Sequence, residues 1–326
     1  MRPASGPVDA ARAAVSAAAA LGLTGVEPVV LADGSNVIVH LAPAPVVAKV
    51  PSSNAALRPE VGATLGRELE LALFLAAAGA PVMPPSPEVP AQVHHADGHP
   101  MTFWTYLKPS DAGRPDEETI GSMLRELHAM LRTYPTPLPP LASPAAFAAP
   151  EQHAQPGPRG PLADIPRFLA RRLTSPASQA LVSDADAVAL TAAFDRLTGE
   201  LAAAVASGAP VQPLHGDAGI LNLMAADGRW VWHDFEDTCS GPVEWDLAAT
   251  TASSRLDASR ILAAYGVPVD EARLRTCEQL RRLHLTIWYT LYAERLPDCR
   301  QRAAELLESW RAQEAAFPRK RSELRD

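Results

Sequence analysis

The chain has 326 residues, of which 20% are charged, and a formal net charge of −8. This acidic balance argues against nucleic acid as a partner, because a phosphate backbone needs concentrated basic surface. The length is sufficient for two lobes with separate cores, and no apolar run approaches the length of a membrane span. The three cysteines, Cys239, Cys277 and Cys299, are far apart, so neither a disulfide framework nor a zinc site is indicated. We therefore expect a cytoplasmic protein without a membrane partner, as a monomer or weak dimer.

The N-terminal part predicts one helix followed by a β-sheet. Residues 10–21 are rich in alanine, but Asp9 and Arg12 interrupt the run, so it predicts a short amphipathic helix and not a signal peptide. An Asp33-Gly34-Ser35 turn joins the first two of the β-branched runs that follow. These runs predict three strands, at residues 26–32, 36–42 and 46–50.

Lys49 lies inside the apolar third strand and is one of only three lysines among 29 basic residues. It is either an edge-strand lysine whose ammonium reaches water, or a functional cation. The segment 66–75 then predicts a helix, with Glu68 beside its apolar stripe. Glu70 lies about 200° around that helix from Glu68, so only one of the two glutamates can face Lys49. We expect Glu68 to be the partner, although either glutamate could be a solvated surface residue.

Further along, a second strand pair precedes a helical region. His94, His95 and His99 resemble a metal cluster, but the Asp97-Gly98 turn between them predicts an exposed hairpin tip. The strand at 101–107 follows, and a proline-rich surface connection is expected at 135–166. Apolar periodicity predicts helices at residues 117–134, 165–173, 184–207, 244–255, 257–265, 270–294 and 299–315.

The stretch His215-Gly216-Asp217-x4-Asn222 is followed closely by His233-Asp234-Phe235-Glu236. An apolar run ends at the Asp227-Gly228 turn, and residues 229–233 form a return strand, so a β-hairpin should fold Asp234 back beside Asn222. Two carboxylates and an amide at this spacing are typical of phosphoryl-transfer sites that hold magnesium. The alternative is ordinary turn and cap chemistry, in which the aspartates only accept backbone N–H groups.

These motifs, together with Gly241-Pro242-x-x-Trp245-Asp246-Leu247-Ala248, resemble the aminoglycoside phosphotransferase and choline kinase-like small-molecule kinases. The resemblance implies an α+β, protein kinase-like fold of two lobes. Residues 1–107 would form an N-terminal lobe with an antiparallel sheet and a helix, and residues 108–326 a mostly helical C-terminal lobe with the catalytic loop and the acceptor site. No switching by activation-loop phosphorylation is expected, because Gly216 replaces the arginine of the protein kinase H-R-D motif.

The resemblance also implies roles for individual residues, with ATP and Mg²⁺ as cofactors. Asp217 would be the catalytic base, and His215 would orient its loop. Asn222 and Asp234 would bind magnesium, and a buried Asp246 would brace the loop. The remaining nucleotide contacts would come from Lys49 with its partner Glu68, from Ser35 in the phosphate turn, and from Trp104 and Tyr106 at the hinge between the lobes. Ser35 could equally be a simple turn serine, and both aromatic residues could simply pack in their strand.

The expected reaction is transfer of the γ-phosphoryl group of ATP to a hydroxyl of a small, amine-bearing molecule, either an aminoglycoside-type antibiotic or a related metabolite. Glu236, Asp237 and Glu244 border the expected site and could meet ammonium groups, or could be a solvated face. Alternatives are a choline, homoserine or fructosamine-type metabolite kinase, a phosphohydrolase with water as the acceptor, and a catalytically silent binding protein on the same scaffold.

Overall fold

The computed structural model describes residues 6–52, 58, 60–142, 160–163, 165–172, 176–251, 255–294 and 296–316. The N-terminal part consists of two helices and five strands. They are α1 (Pro7–Ala20), β1 (Glu27–Asp33), β2 (Asn36–Ala42), β3 (Val46–Pro51), α2 (Val61–Ala77), β4 (His94–Ala96) and β5 (His99–Thr105). The strands form one antiparallel sheet in the order β1-β2-β3-β5-β4. The predicted strands and both predicted helices of this part are confirmed, with ends shifted by a few residues.

Small side chains let α1 lie close to the sheet. Its buried face consists of alanines, among them Ala10, Ala14 and Ala17, which pack against buried valines of β2 and β3. Alanine contributes little apolar area per residue, but it loses no side-chain entropy in a helix. The amphipathic interpretation of this segment is therefore confirmed.

The histidine-containing hairpin is a structural element. The turn residues Asp97 and Gly98 have positive φ angles of 48° and 80°, and they reverse the chain between β4 and β5. His94 is buried and its Nε2 lies 2.8 Å from the carbonyl oxygen of Pro90. Within the described residues, no group of three or more His, Cys, Asp or Glu side chains could hold a metal ion.

The C-terminal part is mostly helical. Its helices are α3 (Glu117–Leu131), α4 (Ile165–Arg172), α5 (Pro176–Gln179), α6 (Asp184–Ala206), α7 (Glu244–Thr251), α8 (Ala258–Tyr265), α9 (Glu271–Tyr292) and α10 (Cys299–Ala316). Four short strands lie among them: β6 (Gln212–Leu214), β7 (Leu223–Ala226), β8 (Arg229–Trp232) and β9 (Cys239–Gly241). Residues 143–159 and 164 of the expected proline-rich connection lie outside the described residues. In the part of the chain that the structure covers, no helix is long and apolar enough to cross a membrane.

The β7–β8 hairpin is held by backbone hydrogen bonds to segments on both of its sides. Trp232 of β8 donates its N–H to the carbonyl oxygen of Pro81 at 2.8 Å and accepts from the N–H of Met83 at 2.8 Å. On the other side, the N–H of Ser110 donates to the carbonyl oxygen of Ala225 at 2.9 Å. The hairpin is therefore fixed against the segment between α2 and β4 and the segment between β5 and α3.

Candidate active site

A cleft with a volume of about 570 Å³ lies between the N-terminal sheet and the β7–β8 hairpin. Several residues that the sequence indicated as site residues line it together. They are Ser35, Lys49, Glu68, Trp104, Tyr106 and Asp234.

Lys49 lies on β3 at one wall of this cleft and contacts three carboxylates. Its Nζ is 2.8 Å from Glu68 Oε1, 2.6 Å from Asp234 Oδ1 and 3.2 Å from Glu236 Oε2. Burial alone would lower the pKa of Lys49, but the charges of Asp234, Glu236 and Glu68 outweigh it and hold the pKa well above its ordinary value. The lysine is therefore a buried cation, so the interpretation as an edge-strand lysine that reaches water is wrong.

The glutamate partner is the one that the helical period favours. Glu68 is 1% exposed and its two carboxylate oxygens lie 2.8 Å and 2.9 Å from Lys49 Nζ, whereas Glu70 faces solvent. Burial raises the pKa of Glu68 to about 7, with Lys49 opposing the rise and the carboxylates of Asp234 and Glu236 adding to it. One lysine thus forms ion pairs with three carboxylates. The cluster therefore has an excess of negative charge, which favours binding of a further cation.

Asp217 and Asn222 contact each other, and neither is among the residues that line the cleft. The amide Nδ2 of Asn222 donates to Asp217 Oδ2 at 2.9 Å and to the backbone oxygen of Asp217 at 2.8 Å. Burial would raise the pKa of Asp217, but the guanidinium of Arg281 outweighs this effect and lowers it. Asp217 is therefore a charged carboxylate with a fixed orientation.

Hydrogen bonds to α7 hold the loop that carries Asp217. Asp246, which is fully buried, accepts the N–H of His215 at 2.8 Å and the N–H of Gly216 at 2.9 Å on its two carboxylate oxygens. The same carboxylate lies 3.0 Å from Nε2 of His128, a buried histidine on α3. A backbone loop with its N–H groups bound in this way has little freedom to move.

His215 fixes the same loop from its own side chain. Its Nε2 lies 3.1 Å from the carbonyl oxygen of His233, and its Nδ1 accepts the N–H of Asp217 at 3.3 Å. This pattern requires a neutral ring with the proton on Nε2, and burial, the largest influence, lowers the pKa of His215. The histidine thereby joins the Asp217 loop to the end of the β7–β8 hairpin.

The hairpin brings Asn222 and Asp234 to the same end. The N–H of His233 donates to the carbonyl oxygen of Asn222 at 3.0 Å, directly before Asp234. Asp234 itself has the left-handed backbone conformation, with φ 65° and ψ 63°, which is uncommon for residues other than glycine. This conformation turns the chain away from the hairpin where the Asp234 carboxylate meets Lys49.

The residues expected at the hinge and in the phosphate turn also line the cleft. Trp104 is 5% exposed and its Nε1 donates to Thr102 Oγ1 at 3.0 Å, while the Tyr106 ring stacks on His40 with centroids 3.8 Å apart. Both aromatic residues therefore pack within their own sheet and still border the cleft. Ser35 belongs to the turn between β1 and β2, and its hydroxyl accepts a long hydrogen bond from Asn36 Nδ2 at 3.5 Å.

Three acids that could have met an amine are paired inside the protein. Glu236 contacts Lys49 and accepts from Asn36 Nδ2 at 3.0 Å. Asp237 lies 2.6 Å from Arg58, and Glu244 lies 2.7 Å from Arg273. All three acids are at most 8% exposed, so they are not a solvated face.

The donor set fits a hard divalent cation that also binds phosphate. Asn222 uses its amide nitrogen on Asp217, which leaves its amide oxygen for a ligand, and Asp234 contributes a carboxylate. One carboxylate and one amide oxygen are few ligands for a metal held by protein alone. They suit magnesium, which usually keeps several water molecules and binds substrate phosphates.

The sequence interpretation missed the buried arginines around the site. Arg281 of α9 donates to Asp217 Oδ1, and Arg67 of α2 donates to the carbonyl oxygen of Glu236 at 2.8 Å. The available signal for a buried arginine was its place among the apolar positions of a predicted helix. Because 26 of the 29 basic residues are arginine, this signal could not single out either residue.

Comparisons with known proteins place the chain in a family. The family model described as "Phosphotransferase enzyme family" matches residues 30–278. No curated protein matches the chain.

Solved structures with the same fold have low sequence identity to the chain. A choline/ethanolamine kinase family protein from Mesorhizobium loti is 19% identical, with a TM-score of 0.55 and 94% of each chain covered. The GDP and kanamycin complex of APH(2″)-IIia is 16% identical, with a TM-score of 0.61, 91% of this chain and 98% of that chain. Aminoglycoside phosphotransferase APH(3″)-Id from Streptomyces rimosus is 18% identical, with a TM-score of 0.53, 83% of this chain and 95% of that chain.

The family model covers more than half of the chain, and the solved neighbours have the same sheet and helical part. The chain therefore belongs to the phosphotransferase enzyme family and has the protein kinase-like fold of its small-molecule kinases.

Proposed function

We propose that the protein transfers the γ-phosphoryl group of ATP to a hydroxyl of a small, amine-bearing molecule. The observation that carries the proposal is the arrangement of one ion pair and one hydrogen-bonded pair, which the β7–β8 hairpin joins. Lys49 contacts Asp234 at 2.6 Å, and Asn222 contacts Asp217 at 2.9 Å, while the hairpin joins Asn222 to Asp234. A cation for phosphates, two metal-ligand groups and a carboxylate for the acceptor are the parts that phosphoryl transfer requires.

Each residue has a separate task in this proposal. Asp217 binds the acceptor hydroxyl and accepts its proton as the oxygen attacks the γ-phosphorus. Lys49, held by Glu68, contacts the α and β phosphates. Asn222 and Asp234 hold Mg²⁺, which neutralises charge on the β and γ phosphate oxygens when it is bound. His215 orients the loop that carries Asp217.

The adenine would lie at the hinge end of the cleft, beside Trp104 and Tyr106. Ser35 and its neighbouring backbone in the β1–β2 turn would contact the phosphates. These assignments rest on the positions of the three residues along the cleft wall. In the proposed account the enzyme is cytoplasmic, a monomer or weak dimer.

An amine on the acceptor is supported by the structural neighbours. They include an aminoglycoside phosphotransferase, a choline kinase and an aminopropanol kinase. The acceptors in these names share an amine or quaternary ammonium group beside a hydroxyl. If the acceptor is an aminoglycoside-type antibiotic, the reaction would confer resistance to it.

The decisive experiment measures ADP release from ATP with Mg²⁺, alone and with a panel of amino sugars, amino alcohols and antibiotics. Stimulation by one acceptor, with a phosphorylated product detected by mass spectrometry, supports transfer. Steady ADP release that no acceptor changes would support a phosphohydrolase. No ADP release under any condition would support a silent binding protein.

Asp217→Asn tests the role of the base in the same assay. Because Asn cannot accept the hydroxyl proton, we expect turnover to fall by about 10²–10⁴-fold with nucleotide affinity nearly unchanged. Asp227→Asn is the matched control, because Asp227 lies in the hairpin turn at φ 50°, a conformation that asparagine tolerates. Wild-type turnover in Asp217→Asn would refute the assignment.

A further inference from the structure

Arg281 lies on α9, beside the proposed catalytic residue but outside the motifs that identify the site. Its Nη2 donates to Asp217 Oδ1, and its Nη1 donates to the carbonyl oxygen of Gly216 at 3.3 Å. The guanidinium carbon lies 4.8 Å from the ring centroid of Trp245, within the range of cation–π attraction. Trp245 donates its own Nε1–H to the same Gly216 oxygen at 2.7 Å.

The exposed fractions of the two side chains show on which side of Asp217 the arginine lies. The side chain of Arg281 is 4% exposed, whereas that of Asp217 is 39% exposed. The guanidinium is therefore packed behind the carboxylate, and the carboxylate lies between it and solvent. An arginine in this position does not reach a bound phosphate without moving, so it differs from an arginine that contacts the transferred group directly.

Both oxygens of Asp217 are held by partners of fixed geometry. Oδ2 accepts from Asn222 at 2.9 Å, and Oδ1 accepts from Arg281. The planar guanidinium also contacts the backbone of the preceding residue, so it fixes the carboxylate relative to its own loop. Its positive charge also offsets the repulsion between the Asp217 carboxylate and an incoming triphosphate.

We propose that Arg281 is a positioning residue for phosphotransfer, which holds the Asp217 carboxylate in the orientation that binds the acceptor hydroxyl. This inference rests on the proposed function, and it adds a residue from a helix far along the chain to the catalytic loop. Displacement of a catalytic group by about 1 Å can reduce the rate about 10²-fold. Loss of the guanidinium should therefore reduce kcat and have little effect on nucleotide binding.

The kinetic test compares Arg281→Met, Arg281→Lys and Arg273→Met with the wild type. Arg273 is the matched control because it lies on the same helix and forms a comparable ion pair, 2.7 Å from Glu244, away from Asp217. For Arg281→Met we expect kcat to fall about 10²-fold, with the KM for ATP and the Kd of a non-hydrolysable analogue within about threefold of wild type. Arg281→Lys should recover part of kcat, since the ammonium retains the charge and one hydrogen bond. Arg273→Met should lower the Tm and leave kcat within about threefold.

Two kinetic outcomes would overturn the proposal. One is a kcat for Arg281→Met within threefold of wild type. The other is a fall in kcat that is matched by an equal loss of nucleotide binding, because this would indicate general damage to the cleft.

A thermal-unfolding cycle tests the inference without any turnover. The Tm shifts of Asp217→Asn and Arg281→Met should be clearly non-additive in the double variant, because each change removes the same contact. The shifts of Asp217→Asn and Arg273→Met should add. If the wild type transfers phosphate to no acceptor, the proposed function fails, and the role of Arg281 in phosphotransfer fails with it. The cycle separately tests the contact on which the inference depends: additive shifts for Asp217 and Arg281 would overturn the inference even in an active enzyme.

Discussion

At the scale of single residues, the backbone conformation and surroundings of Gly216 explain why this chain has H-G-D and not H-R-D. Its φ is +85°, a conformation that L side chains rarely adopt. A Cβ atom at this position would lie 1.8 Å from the carbonyl oxygen of Asp237. The close approach lets the loop before Asp217 pack on the segment after Asp234. Any side chain here would separate the two halves of the site, so an arginine is excluded by space.

Gly216→Ala should therefore be strongly destabilising. Positive φ alone costs about 1–2 kcal/mol for an L residue, and the clash with backbone adds to it, so we expect the free energy of unfolding to fall by more than about 2 kcal/mol. Denaturant unfolding measures the change. Gly219→Ala is the control, because Gly219 has φ −72° and a Cβ there would meet no atom within 4 Å. Similar stability losses in both variants would contradict this explanation.

Asp186 is a second residue whose contacts matter for stability, because it links α6 to α10. It belongs to the capping box of α6 with Ser183, and Arg311 of α10 donates Nε and Nη2 to its two oxygens at 2.7 Å and 2.6 Å. Hydrogen bonds from Arg311, opposed by burial and reinforced by Ser183, lower the pKa of Asp186 below its ordinary value. A carboxylate with a lowered pKa in the folded protein stabilises it above the pKa of the unfolded chain. This stabilisation is lost as the pH falls through the folded pKa.

Asp186→Asn should thus destabilise the protein in a pH-dependent manner. At pH 7 we expect a loss of about 1–2 kcal/mol in the free energy of unfolding, because the substitution keeps the N-cap Ser183 but weakens the charge-assisted hydrogen bonds from Arg311. The difference from wild type should shrink as the pH falls below about 4, where the unfolded aspartate takes up its proton. Urea unfolding at several pH values measures this. Asp195→Asn, at an exposed position of the same helix, is the control, and a pH-independent difference for Asp186→Asn would argue against the ion pair.

At the scale of elements, the β7–β8 hairpin and α7 act together as the frame of the site. The hairpin turn at Asp227 and Gly228, with φ angles of 50° and 77°, sets the register that places His233 opposite Asn222. The α7 helix supplies Asp246, whose two oxygens accept the backbone N–H groups of His215 and Gly216 in the loop before Asp217. The spacing of the motif is therefore a consequence of one short hairpin and one buried carboxylate.

Asp246→Asn tests this frame. Its oxygens accept two backbone N–H groups and face His128, and an amide could satisfy only one of the N–H groups. The buried group left without a partner costs about 1–3 kcal/mol, so both stability and turnover should fall. Thermal unfolding and kcat measure the two effects. His128→Gln should have the smaller effect on turnover, since it leaves both loop contacts in place, and the reverse order would contradict the bracing role.

At the scale of the whole molecule, a nucleotide should join the N-terminal sheet to the hairpin across the cleft. A ligand that binds only the folded protein stabilises it by about 2.7 kcal/mol at 100 times its Kd. For a chain of 326 residues, that corresponds to a rise in Tm of roughly 4 °C. We expect this rise with a non-hydrolysable ATP analogue and Mg²⁺, measured by calorimetry.

Asp234→Asn should remove most of the Mg²⁺-dependent part of that rise, because Asp234 is one of the two proposed metal ligands. Asp227→Asn should retain it, because this residue lies at the far end of the same hairpin. An analogue that stabilises the protein equally with and without a divalent cation would contradict the metal role of Asn222 and Asp234.

The sequence by itself determined the parts of the site that depend on local spacing. The offset between Asp217 and Asn222 and the Asp227-Gly228 turn act over fewer than twenty residues, so local chain geometry fixes them. The helical period likewise separated Glu68 from Glu70, because only one face of α2 is buried. Most helices and strands of the fold were predictable for the same reason.

Only the tertiary structure decided which distant residues meet at the site. Arg281 reaches Asp217 across 64 positions of sequence, and Lys49 meets Asp234 across 185. Neither contact leaves a periodic pattern, because a buried ion pair depends on how helices and strands pack and not on the propensity of either segment. The requirement for glycine at position 216 also depends on tertiary packing, because packing places the carbonyl oxygen of Asp237 where a Cβ atom of residue 216 would lie.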